Sequence, residues 1–242
     1  MEIVRFHFSA IDSTNTWAKK NTHLFDPKKI TLVIADQQYS GKGRYSRRWE
    51  SPPKQNIYAS FCFFVPIAQP NLVNIPQIMA ISASEAMESL GFHPKLKWPN
   101  DLILSEKKVG GILCEMEQVR NHFCVIVGIG ININMPQEQL QAINQPATSL
   151  LVEGKKTVGI EEVLQHLEVN FEENLKTFLE KGFEPFLSDF KSRLIHSPNQ
   201  PLRFHYNNVL WEGVFHSIND DGSLNLELES GEIKRFVSGE IT

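Results

Sequence analysis

The sequence predicts an α+β protein: a mixed β-sheet backed by helices over residues 1–195, then a small β-barrel over residues 196–242. Three observations carry that expectation. Short apolar runs rich in β-branched and aromatic residues recur through the first half of the chain. Two amphipathic patterns at helical spacing interrupt and follow them. After "HSPNQP" come short strand-like runs separated by Asn, Asp and Gly turns.

Taken in order, "IVRFHFSAI" alternates as a strand does, and "DSTN" supplies helix N-cap residues ahead of "TWAKKN". Ser13, Thr14 and Asn15 therefore sit where a strand hands over to a helix. "TLVIADQQ" (31–38) and "NIYASFCFFV" (56–65) are continuous enough to be buried strands, joined by the basic segment "SGKGRYSRRWES" (40–51). Leu72, Ile75, Met79, Ala83, Ala86 and Leu90 mark one face of a helix that Gly91 ends. After "LKWPND", the pieces "DLILSEKK" and "VGGILCEMEQ" predict a hairpin, and "HFCVIVGIGINI" predicts a further strand. Residues 134–158 are polar and turn-rich. Ile160, Val163, Leu164, Leu167, Phe171, Leu175, Phe178 and Leu179 then mark a long second helix running toward "EPFLSDFKSRLI". "HSPNQP" (196–201) is the expected linker, and "LRFHY", "VLWEGVFHSI", "LNLELES" and "EIKRFVSGEI" are the strands of the expected barrel. A barrel of about 45 residues buries too little surface to be comfortable alone.

Composition narrows the function classes. The chain has 242 residues, 41% hydrophobic and 21% charged, as an ordinary soluble globule does. A net charge of -4 argues against a general nucleic-acid binder, which needs a basic face to displace counterions from phosphates. No apolar run reaches the ~18 residues of a membrane span. The N-terminus also lacks the apolar centre of a signal peptide, so a cytoplasmic location is expected. The three cysteines, Cys62, Cys114 and Cys124, lie in strand-like runs and are expected to be buried free thiols. The eight histidines lack metal spacing, so no protein-only metal site is expected.

The basic segment calls for an anion. Lys42, Arg44, Arg47 and Arg48 repel one another unless something negative neutralises them. Gly41 and Gly43 let the backbone approach a ligand closely. Arginine forks match phosphate or carboxylate. A solvated basic loop, or a surface for acidic proteins, is the alternative reading. "KWPND" (97–101) is either a turn before a strand with Trp98 in the core, or part of a site on which Asp101 and Lys108 converge. "GIGININ" (128–134) lacks the third glycine and the strand-turn-helix context of a dinucleotide fingerprint. Gly128 and Gly130 instead thin a strand beneath a flat ligand or mark a bulge, and Asn132 carries the donor and acceptor that an adenine edge requires.

The ordered series D-S-T-N at 12–15, Q-x-x-G-K-G-R-x-x-R-x-W from Gln38 to Trp49, K-W-P-N-D at 97–101, K-V-G-G-I-L-C-E from Lys108 to Glu115 and G-I-G-I-N at 128–132 resembles the biotin protein ligases. The terminal strands ending "VSGEI" resemble their SH3-like domain, so the resemblance covers essentially the whole chain. It implies a class II synthetase-like fold and biotin-[acetyl-CoA-carboxylase] ligase activity. Biotin and MgATP would be the substrates, with no prosthetic group. The partner would be the biotin carboxyl carrier protein of acetyl-CoA carboxylase or a related carboxylase, and a homodimer is left open.

The resemblance further implies that Ser13, Thr14, Asn15 and Gln38 hold the ureido ring of biotin. Gly41, Lys42, Gly43 and Arg44 wrap its carboxyl and the phosphate, and Gly111 and Ile112 line its pocket. Lys108 corresponds to the family's catalytic lysine near the α-phosphate, in reach of both substrates, and Arg44 adds catalytic charge. Asp101 orients the incoming lysine or assists Mg²⁺. Trp49 covers adenine, Asn132 reads it, and Lys42, Arg47 and Asn100 complete the adenylate site. The sequence departs from the family in having Lys42 where many members have arginine. Only twelve residues precede Ser13, where some members carry a winged-helix domain, so DNA binding and repression are not expected. Lipoate ligase or octanoyltransferase activity on the same fold, and a non-catalytic biotin or nucleotide sensor, are the competing functions.

Overall fold

A computed structural model describes residues 1–207 and 209–241. β1 (Ile3–Phe8) runs parallel to β2 (Ile30–Ala35), and α1 (Thr14–Lys20) lies between them in the chain. Ser13 starts α1: its backbone is extended and its hydroxyl accepts from the Thr16 N–H, satisfying one of the free donors of a helix start. β3 (Ile57–Pro66) pairs antiparallel with β2 and with β7 (His122–Ile131). Beyond β7 come β6 (Lys107–Val119), β5 (Asp101–Leu104) and β4 (Lys95–Lys97), closing a seven-stranded sheet of order β1-β2-β3-β7-β6-β5-β4.

Alternation along β3 divides the core between two faces. Phe61, Phe63 and Val65 face α2 (Ile75–Glu88) and α5 (Ile160–Lys181), whose stripe Val163, Leu167, Phe171, Leu175 and Phe178 is buried. Phe61 and Phe171 meet edge to face with ring centroids 5.0 Å apart. Cys62 points the other way, toward Val33, Cys124 and Ile126 beneath Ala18 and Trp17 of α1. Both faces are covered, which is why these strands read as continuous apolar runs. All three cysteines are free, and burial pushes the Cys114 and Cys124 thiols up to about 12, which leaves them unreactive.

Residues 134–158 hold more order than their composition announced. α3 (Gln137–Leu140) and α4 (Leu150–Gly154) are too short to show a period, although Ser149 caps the second by accepting from the Val152 N–H. α5 stops at Gly182, where φ is +73°, and α6 (Leu187–Arg193) follows. No described helix is long and apolar enough to cross a membrane.

The last part of the chain forms β8 (Pro201–Tyr206), β9 (Val209–Ile218), β10 (Leu224–Leu228), β11 (Ile233–Phe236) and β12 (Glu240–Ile241). The expected "NN" turn includes Asn208, which lies outside the described residues. These strands make an antiparallel sheet of order β11-β10-β9-β8-β12. Among the described residues no ladder joins β11 to β12, so the expected barrel is seen as a five-stranded antiparallel sheet without a closing ladder. Closure would run through β12, which is two residues long. Its apolar face merges with the main core through Trp98 and Phe204, whose rings are 5.8 Å apart. The β9–β10 turn docks as well. The Gly222 carbonyl accepts from Trp98 Nε1 at 3.0 Å and Gln77 Nε2 at 2.8 Å, and the Asp221 carbonyl from Asn74 Nδ2 at 2.8 Å. A sheet too small to stand alone is thus completed by a shared core.

His196, at the junction, is buried against Phe215 with no hydrogen-bond partner on either ring nitrogen among the described residues. Burial first, and then Lys97, push its pKa down to about 4, with Gln200 near enough to oppose weakly. The folded state therefore keeps His196 neutral while the unfolded chain takes up its proton near the ordinary value. Stability is complete above about pH 6.5 and falls as the pH drops toward 4, by roughly 2–4 kcal/mol. Urea unfolding at pH 7.5 and pH 5 should show that loss, and His196→Phe should remove much of it.

Candidate active site

One cavity of about 750 Å³ opens on the α1 face of the large sheet, and its floor is built of glycine. Gly111 of β6 lies opposite Gly130 of β7, and Gly128 opposite Ser60 of β3, so all three sit on one face. The space they leave is used by neighbouring side chains. A Cβ at Gly128 would overlap Asn15 and lie 2.8 Å from its Cγ. A Cβ at Gly130 would lie 2.7 Å from Trp49 Cζ2, and one at Gly111 would lie 3.3 Å from Trp49 Cζ3. Trp49 therefore packs on the floor with its indole N–H buried and unpartnered.

α1 and the segment after β2 bring a polar wall to one end. The Thr14 N–H donates to Gln38 Oε1 at 2.9 Å, and Asn15 Nδ2 donates to the Leu113 carbonyl and to Glu115 Oε2, each at 3.1 Å. Ser60 donates to Asn15 Oδ1 at 2.6 Å. Ser13, Thr14, Asn15 and Gln38 all line the cavity as buried polar groups.

The other end is cationic. Lys42, Gly43, Arg44 and Arg47 line it from the basic segment. Arg44 Nη1 donates to Asn100 Oδ1 at 3.0 Å, and Asn100 is itself locked: Nδ2 donates to the Ile112 carbonyl at 2.6 Å while its own carbonyl accepts from the Ile112 N–H at 3.0 Å. Arg47 forks onto Glu240 of β12, with Nη2 2.6 Å from Oε2. Arg48 also borders the cavity and pairs there with Glu50 at 3.2 Å.

Lys108 and Asp101 meet between the two ends, with Nζ 2.7 Å from Oδ1. A register shift in the β5–β6 ladder makes this possible. Asp101 pairs with Gly111 and Ile103 with Lys108, so one extra residue turns Lys108 onto the face of Asp101 and Gly111. The Lys108 backbone is pinned as well, its N–H to the Pro146 carbonyl and its carbonyl to the Thr148 N–H, both at 3.0 Å. Both readings of "KWPND" hold at once: Trp98 is core, and Asp101 converges with Lys108.

Three expected positions stand apart. Gly41 is buried beside Trp49 and Ser51 and does not border the cavity. Ile112 borders it, but its side chain belongs to the core on the opposite face. Asn132 is buried outside the cavity, with Nδ2 donating to the Thr148 carbonyl at 3.0 Å. Its donor steadies the segment that pins Lys108.

Other lining residues went unread. Lys97 projects a third amine whose pKa burial lowers, with Asp101 opposing that shift. Ala142–Pro146 and Glu240–Ile241 also border the cavity. Nothing local in a polar turn-rich segment or in the last strand marks them, because only tertiary packing brings them here. The "VSGEI" ending was the one available signal. Among the described residues, no group of three His, Cys, Asp or Glu side chains is placed to hold a metal ion.

Comparison with known proteins agrees with this geometry. The profile of the biotin/lipoate A/B protein ligase family matches residues 7–132. A Bacillus subtilis protein named bifunctional ligase/repressor BirA is 31% identical over 87% of this chain, and the chain spans 65% of that relative's length. The biotin-[acetyl-CoA-carboxylase] ligase of Paracoccus denitrificans is 28% identical over 82% of this chain and 85% of its own. Among solved structures, a biotin protein ligase from Aquifex aeolicus in complex with biotin and ATP is 31% identical and superposes with a TM-score of 0.81, covering 98% of this chain and 97% of that one.

Proposed function

The chain belongs to the biotin/lipoate A/B protein ligase family, and we propose that it activates biotin with MgATP and transfers it to a lysine of a biotin carboxyl carrier protein. The observation that carries this reading is a single cavity with a polar wall at one end, cations at the other and Lys108 between. A biotin carboxylate oxygen attacks the α-phosphorus, the bond to the β-phosphate breaks, and pyrophosphate leaves. The carrier lysine then attacks the carbonyl carbon of biotinyl-5'-AMP, and AMP leaves.

The residues suit each step. Ser13, Thr14, Asn15 and Gln38 offer the donors and acceptors a ureido ring uses, whereas the dithiolane of lipoate has no N–H to match them. Lys42, Arg44 and Lys108 place positive charge where a carboxylate must approach a polyanion. Mg²⁺ enters with ATP as part of the substrate, and Asp101 offers the hard oxygen such an ion takes. A phosphate competes with Asp101 for Lys108. Asp101 is then free to accept the proton of an incoming lysine, whose ordinary pKa of about 10.4 would otherwise keep it charged. The ligand-binding part is read as residues 1–195 and the C-terminal sheet as the remainder.

Arg44→Gly removes the guanidinium that Asn100 holds. Escape of the adenylate should rise roughly tenfold to a hundredfold, the range for losing a charged hydrogen bond. Labelled adenylate trapped on the protein and chased with unlabelled substrates measures it, and bystander proteins should then become labelled. The reading as a whole is tested by transfer of labelled biotin to a purified carrier domain. No label on the carrier would reduce the protein to a sensor.

A further inference from the structure

One hydrogen-bond chain connects the polar wall to the basic segment through Ser51, a group not assigned to substrate. Its direction is set by groups that have no choice. The Thr14 backbone N–H donates to Gln38 Oε1 at 2.9 Å, which orients the amide and leaves Nε2 to donate to Ser51 Oγ at 3.0 Å. Ser51 passes its own proton to the Trp49 carbonyl at 3.0 Å. Gly41 lies on this junction. A Cβ there would sit 2.5 Å from the Trp49 carbonyl oxygen, 2.7 Å from Ser51 Oγ and 3.0 Å from Gln38 Nε2. The Trp49 N–H closes the ring on the Gly41 carbonyl at 2.9 Å.

Beyond that ring the segment has few neutral ties. The Gly43 N–H donates to the Arg47 carbonyl at 2.7 Å, and Tyr45 and Ser46 hold positive φ of 54° and 60°. Its remaining long-range attachments are charged, Arg44 to Asn100 and Arg47 to Glu240. A polyphosphate competes for those arginines. It does not compete for Ser51, which is buried and does not line the cavity.

We infer that Ser51 is a positioning residue that ties the base of the basic segment to the Thr14–Gln38 wall and so places that segment over a bound acyl-adenylate. The inference rests on the ligase reading for the identity of the occupant. The Thr14 N–H holds the amide in the one orientation that presents Nε2 to Ser51. Ser51 in turn holds the Trp49 carbonyl, from which the segment folds back over the cavity. Removing the hydroxyl leaves the Thr14–Gln38 bond in place and frees the segment at its base.

Ser51→Ala is the test, with Ser51→Thr, which keeps the hydroxyl, as its control. In the unliganded protein, amide hydrogen exchange over residues 42–48 should speed up about tenfold in Ser51→Ala, as loss of one buried bond predicts. Biotin affinity should stay within about twofold, adenylate release should accelerate about tenfold, and Ser51→Thr should restore both exchange and retention. Unchanged protection of residues 42–48 overturns the positioning role. So does a loss of biotin affinity as large as the loss of adenylate retention, which would make Ser51 a plain part of the wall. Wild-type protein that performs no biotin-dependent pyrophosphate exchange would end the ligase reading instead, and the amide exchange rates would still decide whether Ser51 holds the segment.

Discussion

Lys108→Ala is expected to slow biotin-dependent exchange of pyrophosphate into ATP by about 10²- to 10³-fold, the cost of removing one preorganised charge partner from a developing anion. Biotin affinity should change only a few-fold, because the wall of Thr14, Asn15 and Gln38 is built without Lys108. Two losses add. The ammonium no longer meets the α-phosphate, and Asp101, now without its partner 2.7 Å away, turns a negative face to the incoming triphosphate. Lys108→Ala combined with Asp101→Asn should therefore be less impaired than the lysine variant alone, since the repulsion has gone. Pre-steady-state pyrophosphate release separates the chemical step from binding. Full activity of Lys108→Ala would move the centre of the reaction elsewhere in the cavity.

Gly128→Ala is the second large effect, and it acts on the other end. The added methyl would overlap Asn15, whose side chain is committed to Ser60, the Leu113 carbonyl and Glu115. Asn15 is buried and has no open direction in which to retreat without giving up those bonds. Overpacking of this kind costs about 1–3 kcal/mol, so biotin affinity should fall roughly tenfold to a hundredfold. The thermal midpoint should drop by several degrees. Calorimetric titration with biotin measures the first and differential scanning calorimetry the second. Gly91→Ala is the internal comparison. Its φ of +83° strains an added methyl in open space, so it should lower stability and leave biotin binding alone.

The contrast between these positions explains what was legible in the chain. Strand and helix periods, the Ser13 cap and the glycine pairs are local, and the structure places the strands and long helices where those signals lie. Asp101 and Lys108 were readable as a possible pair because a hairpin joins them. What could not be read depends on contacts across the fold. The bulge that aims Lys108, the packing of Trp49 on Gly130 and the docking of Gly222 on Trp98 have no pattern of their own. Asn132 shows the same dependence on contacts across the fold. Its donor and acceptor are real, but the Thr148 carbonyl, sixteen residues away, takes the donor.

The central claim is that this cavity joins biotin to the α-phosphate of ATP, and isotope exchange tests it most directly. Purified protein, ATP, Mg²⁺ and labelled pyrophosphate should return label to ATP when biotin is added. Neither lipoate nor octanoate should substitute for it. No exchange with biotin, or exchange stimulated only by lipoate, would contradict the account.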